Sequence, residues 1–384
     1  MALKKPLAYS LTFSLTAAAL SVALAPTAQA EIYAPAATEL QASADFLSRE
    51  LAAGQDGIIA GLSGLKDIGL TQDMLLALDA LDPDSTQAQI SFNAMMSALD
   101  GYLYFGGEVD AARLAKTVVV ADAFEQPNEQ LVEQLVDTVQ DNGQLKNETA
   151  GAPTSDVQNF GQSWGVLALA RAGKTAEAQR AADFLETQIC ADGGVPLTQK
   201  IEQTCASTDP DTTALAAQAF ALVNGVKDES TTSTLNYLKA AQGDDGGITS
   251  PFLGANVNST ALAASAFALA EEEEHFAQAH SYLESVRFGN SAASGLSGGF
   301  AWRSSDVASA TRVTDQIRRG SAQAAIAYAG GNYANDAVIF SDAPAPTDSG
   351  SSAGSAGIVI AVLAVLAAIA GVLGPLLTTL PAQF

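Results

Sequence analysis

Residues 209–222 read DPDTTALAAQAFAL, and residues 256–269 read NVNSTALAASAFAL. Nine of the fourteen positions are identical; at three others Asn replaces Asp or Ser replaces Thr. Self-similarity at a fixed spacing marks a repeat architecture. Each copy follows a helix-like stretch that ends in a glycine pair, AADFLETQICADGGV (181–195) before the first and LNYLKAAQGDDGGI (235–248) before the second.

Weaker copies flank these. Phe46-Leu47 leads to Gln55-Asp56-Gly57-Ile58 and a helical run from Asp67 to Leu81. Leu131 to Val139 leads to Asp141-Asn142-Gly143, then to Asp156-Val157-Gln158 and Trp164 to Ala170. Tyr282-Leu283 leads to Ser297-Gly298-Gly299-Phe300 and a last helix from Thr314 to Tyr328. One more pair, near Thr86–Tyr102 and Asp110–Phe124, lacks the glycines but keeps helical periodicity. The sum is about twelve helices in six hairpins. In each good repeat the first helix is amphipathic and the second is almost wholly Ala, Leu and Phe, so it must be buried on most sides. Half-exposed helices alternating with buried ones imply a double ring. An open array would need polar capping repeats, and none is seen. The expected fold is all-α, an (α/α)6 toroid over residues 31–340.

The sequence Q-x-x-D-G-G at Gln242–Gly247, with D-x-D-x-T-A-L at Asp209–Leu215, resembles the prenyltransferase/squalene-cyclase repeat. That resemblance is sharp over residues 181–270 and loose elsewhere. It implies the toroid of terpenoid cyclases and protein prenyltransferase β subunits, shared by cobalamin carriers of the transcobalamin type. It specifies fold better than function. Cyclases of that kind protonate an alkene with the middle Asp of D-x-D-D, so the resemblance makes Asp211 the proton donor beside Asp209. Thr212 stands where the paired acid belongs, and a coupled carboxylate is what sets such a pKa apart. Prenyltransferases hold zinc through Asp, Cys and His. Here the only histidines, His275 and His280, lie about 140° apart on one helix and read as solvated surface groups. No metal site is expected, the complement-type thioester signature is absent, and whether a cofactor is used is unknown from the sequence.

The plain reading of the polar residues heading the inner helices is capping, at Asp67, Gln158, Asp211, Asn258 and Gln316. If the inner helices run parallel, these residues ring one mouth of the barrel, where helix N-termini favour an anionic or polyhydroxylated ligand. Arg303, Arg312, Arg318 and Arg319 cluster beside Trp302 in a base-poor chain. They read either as a salt-bridged edge or as a ligand patch, with Trp302 and Trp164 as apolar platforms. Glu271–Glu274 reads as a solvated face, with calcium as the sharper alternative.

The ends suggest export and anchoring. Lys4-Lys5, an apolar run from Leu7 to Leu24 and Ala28-Gln29-Ala30 form a signal peptide over residues 1–30. Residues 341–356 are a Ser/Gly/Pro/Ala stalk. Residues 357–380 hold no charged side chain and exceed the roughly twenty residues that cross a bilayer. With 18 basic and 42 acidic residues the net charge is −24, which argues against nucleic acid and anionic lipid. Cys190 and Cys205, an even pair in an exported chain, read as a disulfide. Three functions remain: a non-catalytic surface module binding a small ligand, glycan or lipid-like molecule in the toroid mouth; an envelope enzyme, glycan hydrolase or lyase or isoprenoid-modifying, with Asp209 and Asp211 as acids; or a structural surface protein.

Overall fold

Five of the six inner helices begin with a side-chain cap. In the computed structural model, which describes residues 34–340 apart from 62–63, 201–204, 206 and 252, Asp209 accepts the Thr212 amide at 2.8 Å and Pro210 fills the first helical position. Asn256 accepts the amides of Asn258 and Ser259, each at 3.1 Å. Asp67, Asp110 and Thr314 do the same work for their helices. Asp67 is thus a cap, as expected. Asp211, Asn258 and Gln316 are not: the caps stand two residues earlier, at Asp209, Asn256 and Thr314. Gln158 holds the cap position but makes no side-chain cap bond. The freed residues at 211 and 258 are therefore turned to other use.

The inner helices are α2 (Ile68–Leu81), α5 (Ala111–Ala123), α7 (Asn159–Arg171), α9 (Pro210–Val223), α11 (Val257–Leu269) and α14 (Asp315–Tyr328). Their outer partners are α1 (Ala37–Ala52), α3 (Thr86–Met96), α6 (Glu129–Asp137), α8 (Thr175–Glu186), α10 (Glu229–Ala241) and α12 (Glu273–Val286). Two single turns, α4 (Asp100–Leu103) and α13 (Ser304–Val307), lie in the connections. Each inner helix packs on the next, and α14 packs back on α2. The ring is closed, an α/α toroid of six hairpins. The alanines that make the repeat legible are nearly all fully buried, and their small size lets the inner helices approach closely.

The repeat's Thr has a defined task. The amide two residues past the turn glycine donates to it: Val195 to Thr213 at 2.8 Å, Ile248 to Thr260 at 2.9 Å, Ile59 to Thr71 at 3.1 Å. Each hydroxyl in turn donates to the carbonyl four residues back. Ser321 and Gln162 accept in the same way from Phe300 and Leu145. The turn glycine is equally constrained. Gly298 has φ +84°, and a Cβ there would lie 1.9 Å from the Ala42 carbonyl of α1. The last repeat thereby seats on the first. Arg287 joins the same seam by donating to Glu39 of α1 at 2.7 Å.

The connections before the inner helices carry short ladders the all-α expectation did not include. Strands β1 (Tyr104–Phe105), β2 (Glu108–Val109), β3 (Lys146–Thr149) and β4 (Ala152–Asp156) form an antiparallel sheet in that order. Strands β5 (Thr249–Ser250) and β6 (Gly254–Ala255) form a hairpin. Cys190 and Cys205 are disulfide-bonded across the connection before α9. The expected signal peptide, stalk and membrane helix fall outside the described residues; among those described, no helix is long and apolar enough to cross a membrane.

Candidate functional site

All six connections deliver the chain to the inner-helix N-termini, so these open at one pole of the barrel. The other pole is stopped by residues 330–340, which follow α14. Tyr333 donates its amide to the buried Gln218 at 2.9 Å and meets Trp164 edge-on at 5.1 Å. Arg171, at the end of α7, holds this plug by donating to Asp336 at 2.6 Å and to Asp122 at 2.7 Å. The space left there is about 20 Å³, room for about one water. Beside it, burial and the Asp336 carboxylate push Asp79 up to about 6.

What remains at the N-terminal pole is a shallow well. Its floor is Trp164 with the Lys116 ammonium 5.6 Å above the ring, and Lys116 also donates to Asp73 at 2.5 Å. These floor residues stand one turn, about 6 Å along the axis, past the second residue of their helices. Around the wall, polar bonds tie neighbouring inner helices together. Ser259 bonds to Asp211 between α11 and α9, Asn258 donates to Gln323 of α14 at 2.6 Å, and Arg319 of α14 donates to Asp67 of α2.

Unpartnered acceptors recur at the starts of the inner helices. Among the described residues, one buried oxygen each of Asn159, Asp211, Asn258 and Asp315 has no hydrogen-bond partner. All four lie in the first turn of an inner helix. A buried acceptor without a donor costs about 1–3 kcal/mol, which a water, an ion or a ligand can offset. Asp211 is the most perturbed of them. Burial, with Asp209 adding repulsion, raises its pKa from 3.8 to about 6 against the opposing Ser259 bond.

The remaining site candidates scatter. Trp164 is buried inside the barrel, 4% exposed, and serves as floor and not as an outward platform. Trp302 is half-buried at the rim, where its carbonyl accepts from Val257 at 2.9 Å. Arg318 is committed to Glu50 at 2.7 Å, and Arg319 to Asp67 and Asp315, so these two stitch the seam. Arg303 and Arg312 are exposed at the rim. The surface reading of the histidines is corrected. His280 is fully buried, stacks on Tyr328 at 4.7 Å and bonds to its carbonyl at 2.9 Å, while half-buried His275 bonds to Gln242 at 2.6 Å. Among the described residues no three potential ligands gather as a metal site. Sequence reasoning missed Asp73, Lys116 and the plug; a charged residue at the sixth position of each of two otherwise largely apolar helices was the available signal.

No family model matches the chain, and no curated protein matches its sequence. Solved structures do resemble it. A protein from Actinoplanes superposes with TM-score 0.54 at 17% identity, over 77% of this chain and 98% of that one. An unsaturated glucuronyl hydrolase specific for heparin gives 0.55 at 11% identity, over 76% and 96%. The protein geranylgeranyltransferase-I of Candida albicans gives 0.51 at 11% identity, over 75% and 90%. What the prenyltransferase and hydrolase neighbours share with this chain is the α/α toroid, the fold expected from the repeat.

Proposed function

We propose that the well at the N-terminal pole binds a hydroxyl-rich ligand, a glycan or a part of one, as a non-catalytic module. The observation that carries this is the polar first turn of the inner helices, where Asp211, Asn258 and Asp67 bond to Ser259, Gln323 and Arg319 of neighbouring helices. Groups of this kind, acceptors and donors in alternation, match the hydroxyls of a sugar. A purely anionic ligand fits less well, since Asp67 and Asp315 already hold Arg319 and Asp73 holds Lys116. A lipid-like ligand would have to displace Trp164 and Tyr333 from the barrel axis. Saturation-transfer NMR of the full chain against neutral oligosaccharides tests the reading. Binding that weakens about tenfold in Asn258→Ala, the loss of one or two hydrogen bonds, supports it; oligosaccharides that give no transfer at all refute it.

A second reading, acid catalysis at the same well, is favoured by Asp211 alone, whose proton is held to about pH 6. Release of reducing ends from a bound oligosaccharide, abolished in Asp211→Asn, would establish it. We also propose that residues 1–30 direct export and residues 357–380 hold the protein in a membrane at the cell surface. Protease shaving of intact cells and detergent-dependent extraction check this. Recovery of the protein from the soluble cytoplasmic fraction would contradict it.

A further inference from the structure

Four of the large apolar side chains that the fold leaves in water sit on the connections entering the inner helices: Leu65 (72% exposed), Phe105 (81%), Leu197 (41%) and Leu253 (51%). They come from four different repeats, so they stand around the rim of the well and not in one patch. Leu65 precedes the Asp67 cap, Phe105 tips the β1–β2 hairpin before Asp110, and Leu253 tips the β5–β6 hairpin before Asn256. The Leu197 carbonyl accepts from Asn159 at the start of α7.

The three most exposed tips each have a base beside them, in a chain with 18 bases in 384 residues. Lys66 adjoins Leu65 and pairs with Asp56 at 3.1 Å. Arg113 holds the Tyr102 carbonyl at the base of the Phe105 hairpin, at 2.9 Å, and pairs with Asp110 at 3.1 Å. Arg303 donates to the carbonyl of Leu253 itself at 3.4 Å. We infer that this rim docks on a phospholipid surface, the apolar tips entering the acyl boundary while Arg303, which among the described residues is bonded only to the Leu253 carbonyl, meets a headgroup phosphate. A protein interface concentrates its apolar contact in a continuous centre; separated tips flanked by long bases suit an interfacial layer instead. With the whole chain at −24, long-range repulsion opposes anionic bilayers, so the surface is zwitterionic. Docking and ligand binding use the same face and exclude each other, and the vesicle test reads docking alone.

The test places one environment-sensitive fluorophore per molecule of the full chain, through Leu65→Cys, Phe105→Cys, Leu253→Cys or, on the outer wall, Ile90→Cys, whose native side chain is 51% exposed. The native cysteines are paired with each other and do not compete. On phosphatidylcholine vesicles the three rim labels shift to the blue and are quenched by lipid-borne quenchers, while the label at 90 does neither. In the Leu65→Ser/Leu253→Ser background the response of the label at 105 falls at least tenfold in apparent vesicle affinity, as removal of two apolar side chains requires. Rim labels that behave like the label at 90, or a double variant that docks as well as the parent, overturn the inference. Any insertion of residues 357–380 is common to every variant and cannot imitate this pattern.

Discussion

Asp211 is expected to weaken the fold it belongs to at neutral pH. Its pKa rises from 3.8 to about 6 on folding. A group shifted upward contributes stability in full below about pH 4 and loses it as pH climbs through about 6. At about 1.4 kcal/mol per pH unit the ionised side chain costs up to about 3 kcal/mol at pH 7.5. Asp211→Asn keeps the shape, keeps a partner for Ser259 and removes the charge. Urea denaturation of both proteins at a series of pH values reads the difference, and every other carboxylate cancels in it. The variant should be the more stable by about 2–3 kcal/mol at pH 7.5, with the gap closing toward pH 4. A gap that is absent, reversed or independent of pH would refute the reasoning. A residue that destabilises its own protein is then retained for something other than folding.

Other expectations concern the scaffold. Thr260→Val leaves the buried Ile248 amide without its 2.9 Å acceptor, which should cost about 1–3 kcal/mol in the same denaturation assay; Thr213→Val should match it. Gly298→Ala puts a methyl 1.9 Å from the Ala42 carbonyl at a φ of +84°, so it should open the seam, and hydrogen exchange should rise first in α1 and α14. Reduction of Cys190–Cys205, which closes a 15-residue separation, should lower stability by about 3 kcal/mol, measured with and without reductant.

The fold was legible because its defining feature is compositional. Helices made of Ala, Leu and Phe have no wet face to offer, and the near-copies at 209–222 and 256–269 announce how often they recur. The site was only half legible. Placing caps at Asp211 and Asn258 went wrong because two polar residues, 209 and 211 or 256 and 258, flank each helix start, and only backbone geometry decides which one turns inward. Of the two readings of the arginine cluster, the salt-bridged edge holds for Arg318 and Arg319; their partners Glu50 and Asp67 lie across the closure between first and last repeats, which no local pattern shows. His280 finds Tyr328 of the neighbouring helix, 48 residues on, and its burial was equally out of reach of local pattern. The plug at 330–340 carries no repeat signature, so nothing marked it as part of the barrel.

That plug also sets how the molecule would bear a load. The described chain leaves through Phe340, which packs against His280 at 5.6 Å, and just upstream lie the Asp336 ion pair and Tyr333. Tension applied from the C-terminal side therefore meets these contacts in series before it reaches any helix. Phe340 would leave His280 first, Arg171 would then release Asp336, Tyr333 would slide from beneath Trp164, and the floor of the well would lose its support from below while the twelve-helix ring stayed shut.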